Sequence, residues 1–143
     1  MHSLLIDNPS RLLDWAEREL DVTFFGDARA LGWGNDEEIR AVAVYERWSG
    51  NDACVHLVSD NKPGWLCRQF LASGFYYPFV TGGLRRITGL VPANNERAIR
   101  LNQHFGYREE GRMRFGVDDE TDLIVMGMLK EECRFIPKEF RHG

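Results

Sequence analysis

Residues 86 to 111 read Arg-Ile-Thr-Gly-Leu-Val-Pro-Ala-Asn-Asn-Glu-Arg-Ala-Ile-Arg-Leu-Asn-Gln-His-Phe-Gly-Tyr-Arg-Glu-Glu-Gly, and the elements they spell out decide the fold. Arg86 to Val91 reads as a strand. Asn95 is a good N-cap, Ala98, Leu101 and Phe105 recur on one helical stripe, and Gly106 stops the helix that they define. Tyr107 to Phe115 then reads as a strand, paired through the acidic turn Asp118, Asp119 and Glu120 with Asp122 to Leu129. A strand, a helix and a returning strand in so short a span make a crossover unit.

Upstream, the period changes. Trp65, Leu66, Phe70, Leu71, Gly74 and Phe75 follow helical spacing after Asn61-Lys62-Pro63-Gly64, and Pro78 obstructs the helix. Before it, Ile39 to Trp48 is apolar on both faces in its middle, as a covered central strand should be, and Ala53 to Val58 reads as its hairpin partner across Ser49 to Asp52. Val22 to Phe25 and Arg29 to Trp33 read as two further strands. A first helix opens on Asn8 and Pro9 and carries Leu12, Leu13, Ala16 and Leu20 to about Glu19. The order predicts an α+β fold with a mixed sheet, whose ligand site lies beyond the strand ends at Val58 to Gly64 and Val91 to Asn95. No repeat, linker or low-complexity stretch interrupts the 143 residues, which are read as a single domain.

Composition narrows the function. Eighteen basic against 22 acidic residues give a net charge of −4, the wrong sign for non-specific nucleic-acid binding. No apolar run approaches the roughly 18–20 residues of a membrane span, and the start of the chain has no charged lead-in, so a cytoplasmic protein is expected. Cys54, Cys67 and Cys133 form no close pair and read as reduced thiols, with no Cys-x-x-Cys metal site. The acidic group Asp118 to Asp122 reads as a solvated turn rather than a metal site. The apolar tail, with Phe135, Ile136, Pro137 and Phe140, is expected to cover a sheet edge or to pair with a second copy of the chain as a homodimer.

Chemistry concentrates where Leu57-Val58-Ser59 runs through Asp60-Asn61-Lys62-Pro63-Gly64 into the long helix. Free N–H groups at a helix start, with Lys62 beside them, suit an anion such as a diphosphate; a plain strand-to-helix connection is the alternative.

The stretch from Arg86, with Val91, Asn95, Ala98, Gly106, Tyr107, Glu110 and Gly111 in place, resembles the second half of GNAT-family N-acetyltransferases. It is most similar to the branch of ribosomal-protein alanine N-acetyltransferases and their phage-encoded relatives. The resemblance implies an acetyl-CoA-dependent enzyme in which a primary amine of a protein or small molecule attacks the thioester directly. It implies no metal. The cofactor site would comprise Leu57, Val58, Ser59, Asn61, Lys62, Pro63, Gly64 and Trp65, together with Asn95 and Asn102. An unpaired strand edge near Leu57 to Ser59 would hold the pantetheine arm and face the oxyanion. The sequence departs from the pattern in three places: Ser59 and Lys62 stand where the cofactor loop has Gln or Arg and Gly, Asn102 falls near the usual tyrosine acid, and Ala98 replaces a serine. A non-catalytic GNAT-like module of phage origin that binds another protein is the alternative reading.

For the base, His56 and Glu46 are the two candidate side chains, and a water chain is a third route; each residue also has a structural reading, as a hydrogen-bonded core histidine and as an ion-paired strand carboxylate. Asn95 either caps its helix or touches the acceptor or the cofactor.

Overall fold

The computed structural model describes residues 1–142. Seven strands make one sheet: β1 (Ser3–Leu5), β2 (Arg29–Gly34), β3 (Ile39–Glu46), β4 (Cys54–Ser59), β5 (Arg86–Pro92), β6 (Arg108–Met113) and β7 (Leu123–Leu129), in the spatial order β1-β2-β3-β4-β5-β7-β6. Every neighbouring pair is antiparallel except β4 and β5, which run parallel. The expected mixed α+β sheet is therefore present.

Helices α1 (Pro9–Leu20), α2 (Arg68–Tyr76) and α3 (Glu96–Phe105) cover the sheet. Alternate side chains of a strand point to opposite faces, and β3 uses both. Val42 and Val44 pack with Leu12 and Ala16 of α1, while Ala41, Ala43 and Tyr45 pack with Phe70 of α2. Because α3 meets α2 through Phe105 and Phe75, with ring centroids 5.9 Å apart, those two helices share the second face. All eight residues of β3 are buried in consequence.

Local chemistry sets the helix ends. The Asn8 side chain accepts the Arg11 N–H, and Pro9 occupies the first turn, where a missing N–H costs nothing. In α3 the Asn95 side chain accepts the Ala98 N–H, and Gly106, at φ 111°, takes the left-handed position that closes the helix.

Three expectations are corrected, on Val22 to Phe25, the start of α2 and the tail, and a further strand is found. Val22 to Phe25 is not a strand: it is a connecting segment tied down by carboxylates, with Phe24 N–H on Glu17 and Phe25 N–H on Glu46. β1, too short to signal itself, exists through its pairing with β2, Ser3 opposite Gly34. α2 starts at Arg68 rather than just after Gly64. At Pro78 the α-helix does not run on unbent, as expected: α2 ends at Tyr76 and the chain widens into a π-helical turn, Tyr77–Thr81, in which Gly82 N–H reaches Tyr77 O at 2.8 Å. The apolar tail packs on the helices, not on a sheet edge, with Phe135 stacked on Phe75 at 4.9 Å. No helix among the described residues is long and apolar enough to cross a membrane.

Candidate active site

β4 and β5 meet at one bridge, Cys54 opposite Thr88, secured by Thr88 N–H on Ala53 O at 2.9 Å. Beyond it they part. The direction of the main-chain groups in the gap follows from the neighbouring ladder. Asp60 N–H donates to Arg40 O at 2.9 Å, and bonded and non-bonded pairs alternate along an antiparallel ladder. His56 and Val58 therefore turn their main-chain groups to β3, and Leu57 and Ser59 turn theirs toward β5, where no strand partner meets them. The gap is part of a cleft of about 580 Å³ that continues between α2 and α3. A larger hollow, about 890 Å³, lies between β1, α2 and the tail, and its walls are mostly apolar.

His56 and Glu46 prove to be one unit. Val44 faces His56 across the β3–β4 ladder, so Glu46, two residues on, is its diagonal neighbour on the same face. His56 Nε2 lies 2.5 Å from Glu46 Oε2, and the other carboxylate oxygen accepts the Phe25 N–H at 2.8 Å. Glu46 is 4% exposed, whereas His56 is half-buried on the cleft wall with Phe24 tilted against it at 5.3 Å. A carboxylate only accepts, so in the neutral imidazole the proton sits on Nε2 and the lone pair on Nδ1.

The expected cofactor residues divide in two. Leu57, Val58, Ser59, Asn61, Trp65, Asn95 and Asn102 line the cleft; Lys62, Pro63 and Gly64 stand outside it in the connecting loop. The first amides of that loop are occupied: Ser59 Oγ accepts the Asn61 N–H at 3.1 Å, and Asp60 Oδ1 accepts the Lys62 N–H at 2.9 Å. The open amides are those of Arg68, Gln69 and Phe70, because the N-cap of α2 is Cys67 and no side chain caps the helix. Asn95 spends its side-chain oxygen on Ala98 N–H and keeps its amide nitrogen free. Asn102 makes only a weak contact with Met126 Sδ, at 3.7 Å.

The structure adds residues that sequence reading missed. Tyr45 and Tyr107 line the cleft, and burial pushes both phenols well above their ordinary pKa. Tyr45 donates to Gly74 O at 2.6 Å. Arg97, exposed in the first turn of α3, also lines it. Arg40 carried a legible signal, since a lone charge inside an apolar strand covered on both faces requires a partner; it pairs with Asp60 at 2.5 Å. The hairpin acids serve turn geometry, with Glu120 N–H on Asp118 and Phe115 N–H on Asp122.

No protein-family profile matches the sequence, and no curated protein matches it. Solved structures do match. A mutant form of the spermidine/spermine N-acetyltransferase SpeG from Vibrio cholerae superposes with a TM-score of 0.73 at 13% identity, over 90% of this chain and 95% of that one. A GNAT-family acetyltransferase from Streptococcus pneumoniae gives 0.69 at 16% identity, over 90% and 99%. A probable acetyltransferase gives 0.63 at 19% identity, over 83% and 69%. Identities this low speak to architecture alone, and on that ground the chain has the fold of the GNAT acetyltransferases.

Proposed function

We propose that the chain is an acetyl-CoA-dependent N-acetyltransferase that moves an acetyl group to a primary amine of a protein or small molecule. The observation that carries this reading is the parting of β4 from β5, which turns the main-chain groups of Leu57 and Ser59 toward a cleft whose wall holds His56, with Glu46 buried behind it. Acetyl-CoA supplies an acyl group activated as a thioester. The residues present fit it. An unpaired strand edge can bond a slender amide-bearing arm as it would another strand, and a cleft of about 580 Å³ falls within the roughly 300–1,000 Å³ of small-molecule sites.

Leu57 and Ser59 would hold the arm, with Asn95 and Asn102 offering side-chain amides beside it. The open N–H groups at the start of α2, together with Lys62 and Arg97, are available to phosphate oxygens. His56 takes the proton from the incoming ammonium at Nδ1. Glu46 acts through it, fixing the tautomer and the ring, so that the two sequence candidates become a base and its positioning residue. Asn102 can donate a hydrogen bond to a departing sulfur but no proton; the buried Tyr107 phenol keeps its proton and stands on the same wall. The three free cysteines suit a reducing compartment, and we place the protein in the cytoplasm.

Thermal melting with and without acetyl-CoA tests the reading. A hundredfold excess over Kd should add about 2.7 kcal/mol of stability, and amine-dependent release of free thiol should follow, with polyamines screened first because of the likeness to SpeG. No stabilisation at millimolar acetyl-CoA would leave the non-catalytic module standing instead.

A further inference from the structure

The loop between β4 and α2 is where this chain departs furthest from a glycine-rich phosphate cradle, and the structure shows what stands in its place. Arg40, the second residue of β3, is 9% exposed and spends its guanidinium on the loop. Its Nε meets Asp60 Oδ2 at 2.5 Å, and its terminal nitrogen donates to the Pro63 carbonyl. Asp60 is held at three points: its N–H on Arg40 O, Oδ2 on the guanidinium, and Oδ1 on the Lys62 N–H. Gly64, at φ 103°, passes close to the guanidinium, and a Cβ placed there would lie 3.9 Å from both terminal nitrogens. Asn61, at φ 62°, is fixed by Ser59 Oγ. The loop is thus pinned to β3 by a partly buried ion pair, rather than shaped by glycines around a ligand.

We propose that Arg40, through Asp60, is a positioning residue for the diphosphate end of the acyl donor: the staple fixes the loop in advance and sets where α2 begins, so that the open amides of α2 and the Lys62 side chain meet the phosphates without an ordering cost. The proposal rests on the acetyl-CoA reading and deepens it. A preordered loop raises affinity by removing the entropy lost on binding. The pair is a suitable fastener because Arg40 is buried, so that losing Asp60 would leave its charge uncompensated, which favours the closed geometry.

Calorimetric titration with CoA, alongside kcat/KM for S-acetylpantetheine, which lacks the diphosphate, separates this role from general support of the fold. Asp60→Asn should weaken CoA binding about tenfold and leave kcat/KM for S-acetylpantetheine unchanged. Should Asp60→Asn fold poorly, the double variant Arg40→Met/Asp60→Leu removes both charges and should show the same split. Equal losses for both ligands, or unchanged CoA affinity in a folded variant, would overturn the proposal while leaving acetyl transfer intact. A wild-type chain that binds no CoA would overturn the functional reading, and this inference with it.

Discussion

Two strand-to-helix connections stand side by side at the open end of the sheet, and they are built on opposite plans. The β5–α3 connection is short and self-satisfied: Asn95 caps the helix with its own side chain and Gly106 closes the far end. The β4–α2 connection, from Asp60 to Cys67, is long, is stapled to β3 by Arg40, and delivers a helix that no side chain caps. The second leaves the amides of its helix start without any side-chain cap, whereas the first spends the Asn95 oxygen on the Ala98 N–H. A connection that spends its polar groups on itself confers stability, and one whose donors stay open can take a ligand.

The largest expected effect concerns what lies beneath the open connection. His56→Ala should lower turnover by about 10²–10⁴ while acetyl-CoA affinity stays close to wild type; unchanged turnover would remove His56 as the base. Glu46→Gln should lower turnover less and shift the pH profile, because the imidazole loses the partner that fixes its tautomer.

The capping contrast can be exchanged by mutation. Asn95→Ala should cost about 1 kcal/mol of stability, read as a fall in Tm. Cys67→Asp should do the reverse, adding about 0.5–1 kcal/mol at the uncapped start of α2 while weakening acetyl-CoA binding, since the new carboxylate competes for the same amides. Tighter binding in Cys67→Asp would break the comparison.

The smallest effect is with pH. Burial opposes ionisation of Asp60, but the Lys62 N–H and the Arg40 guanidinium outweigh it and hold the carboxyl below its ordinary value. A carboxyl so lowered stabilises the fold above the usual range, near about pH 4, and loses that contribution as pH falls through its own lower value. Tm should therefore decline more steeply in acid for wild type than for Asp60→Asn.

What was legible in the sequence follows the same divide. The β5–α3 connection was readable because its determinants are local: Asn95, Ala98, Leu101, Phe105 and Gly106 act within a few residues of one another. The β4–α2 connection was half readable. Pro63 and Gly64 signal a helix start, but the actual start at Arg68 depends on Arg40, twenty residues before Asp60, which holds the Pro63 carbonyl in a turn. The His56–Glu46 unit was visible as two candidates and not as a pair, since only the ladder register, with Glu46 opposite Cys54, puts them in contact. Val22 to Phe25 deceived because its apolar residues fit a strand, whereas its amides bond to the side chains of Glu17 and Glu46 instead of to a neighbouring strand. Local chemistry was legible, and register-dependent chemistry was not.

Amide hydrogen exchange along β4 tests the account most directly. In the free protein the amides of His56 and Val58 should be protected and those of Leu57 and Ser59 should exchange fast; saturating acetyl-CoA should slow Leu57 and Ser59 selectively. Acetyl-CoA that binds without protecting those two amides, or a free protein in which all four are already protected, would contradict it.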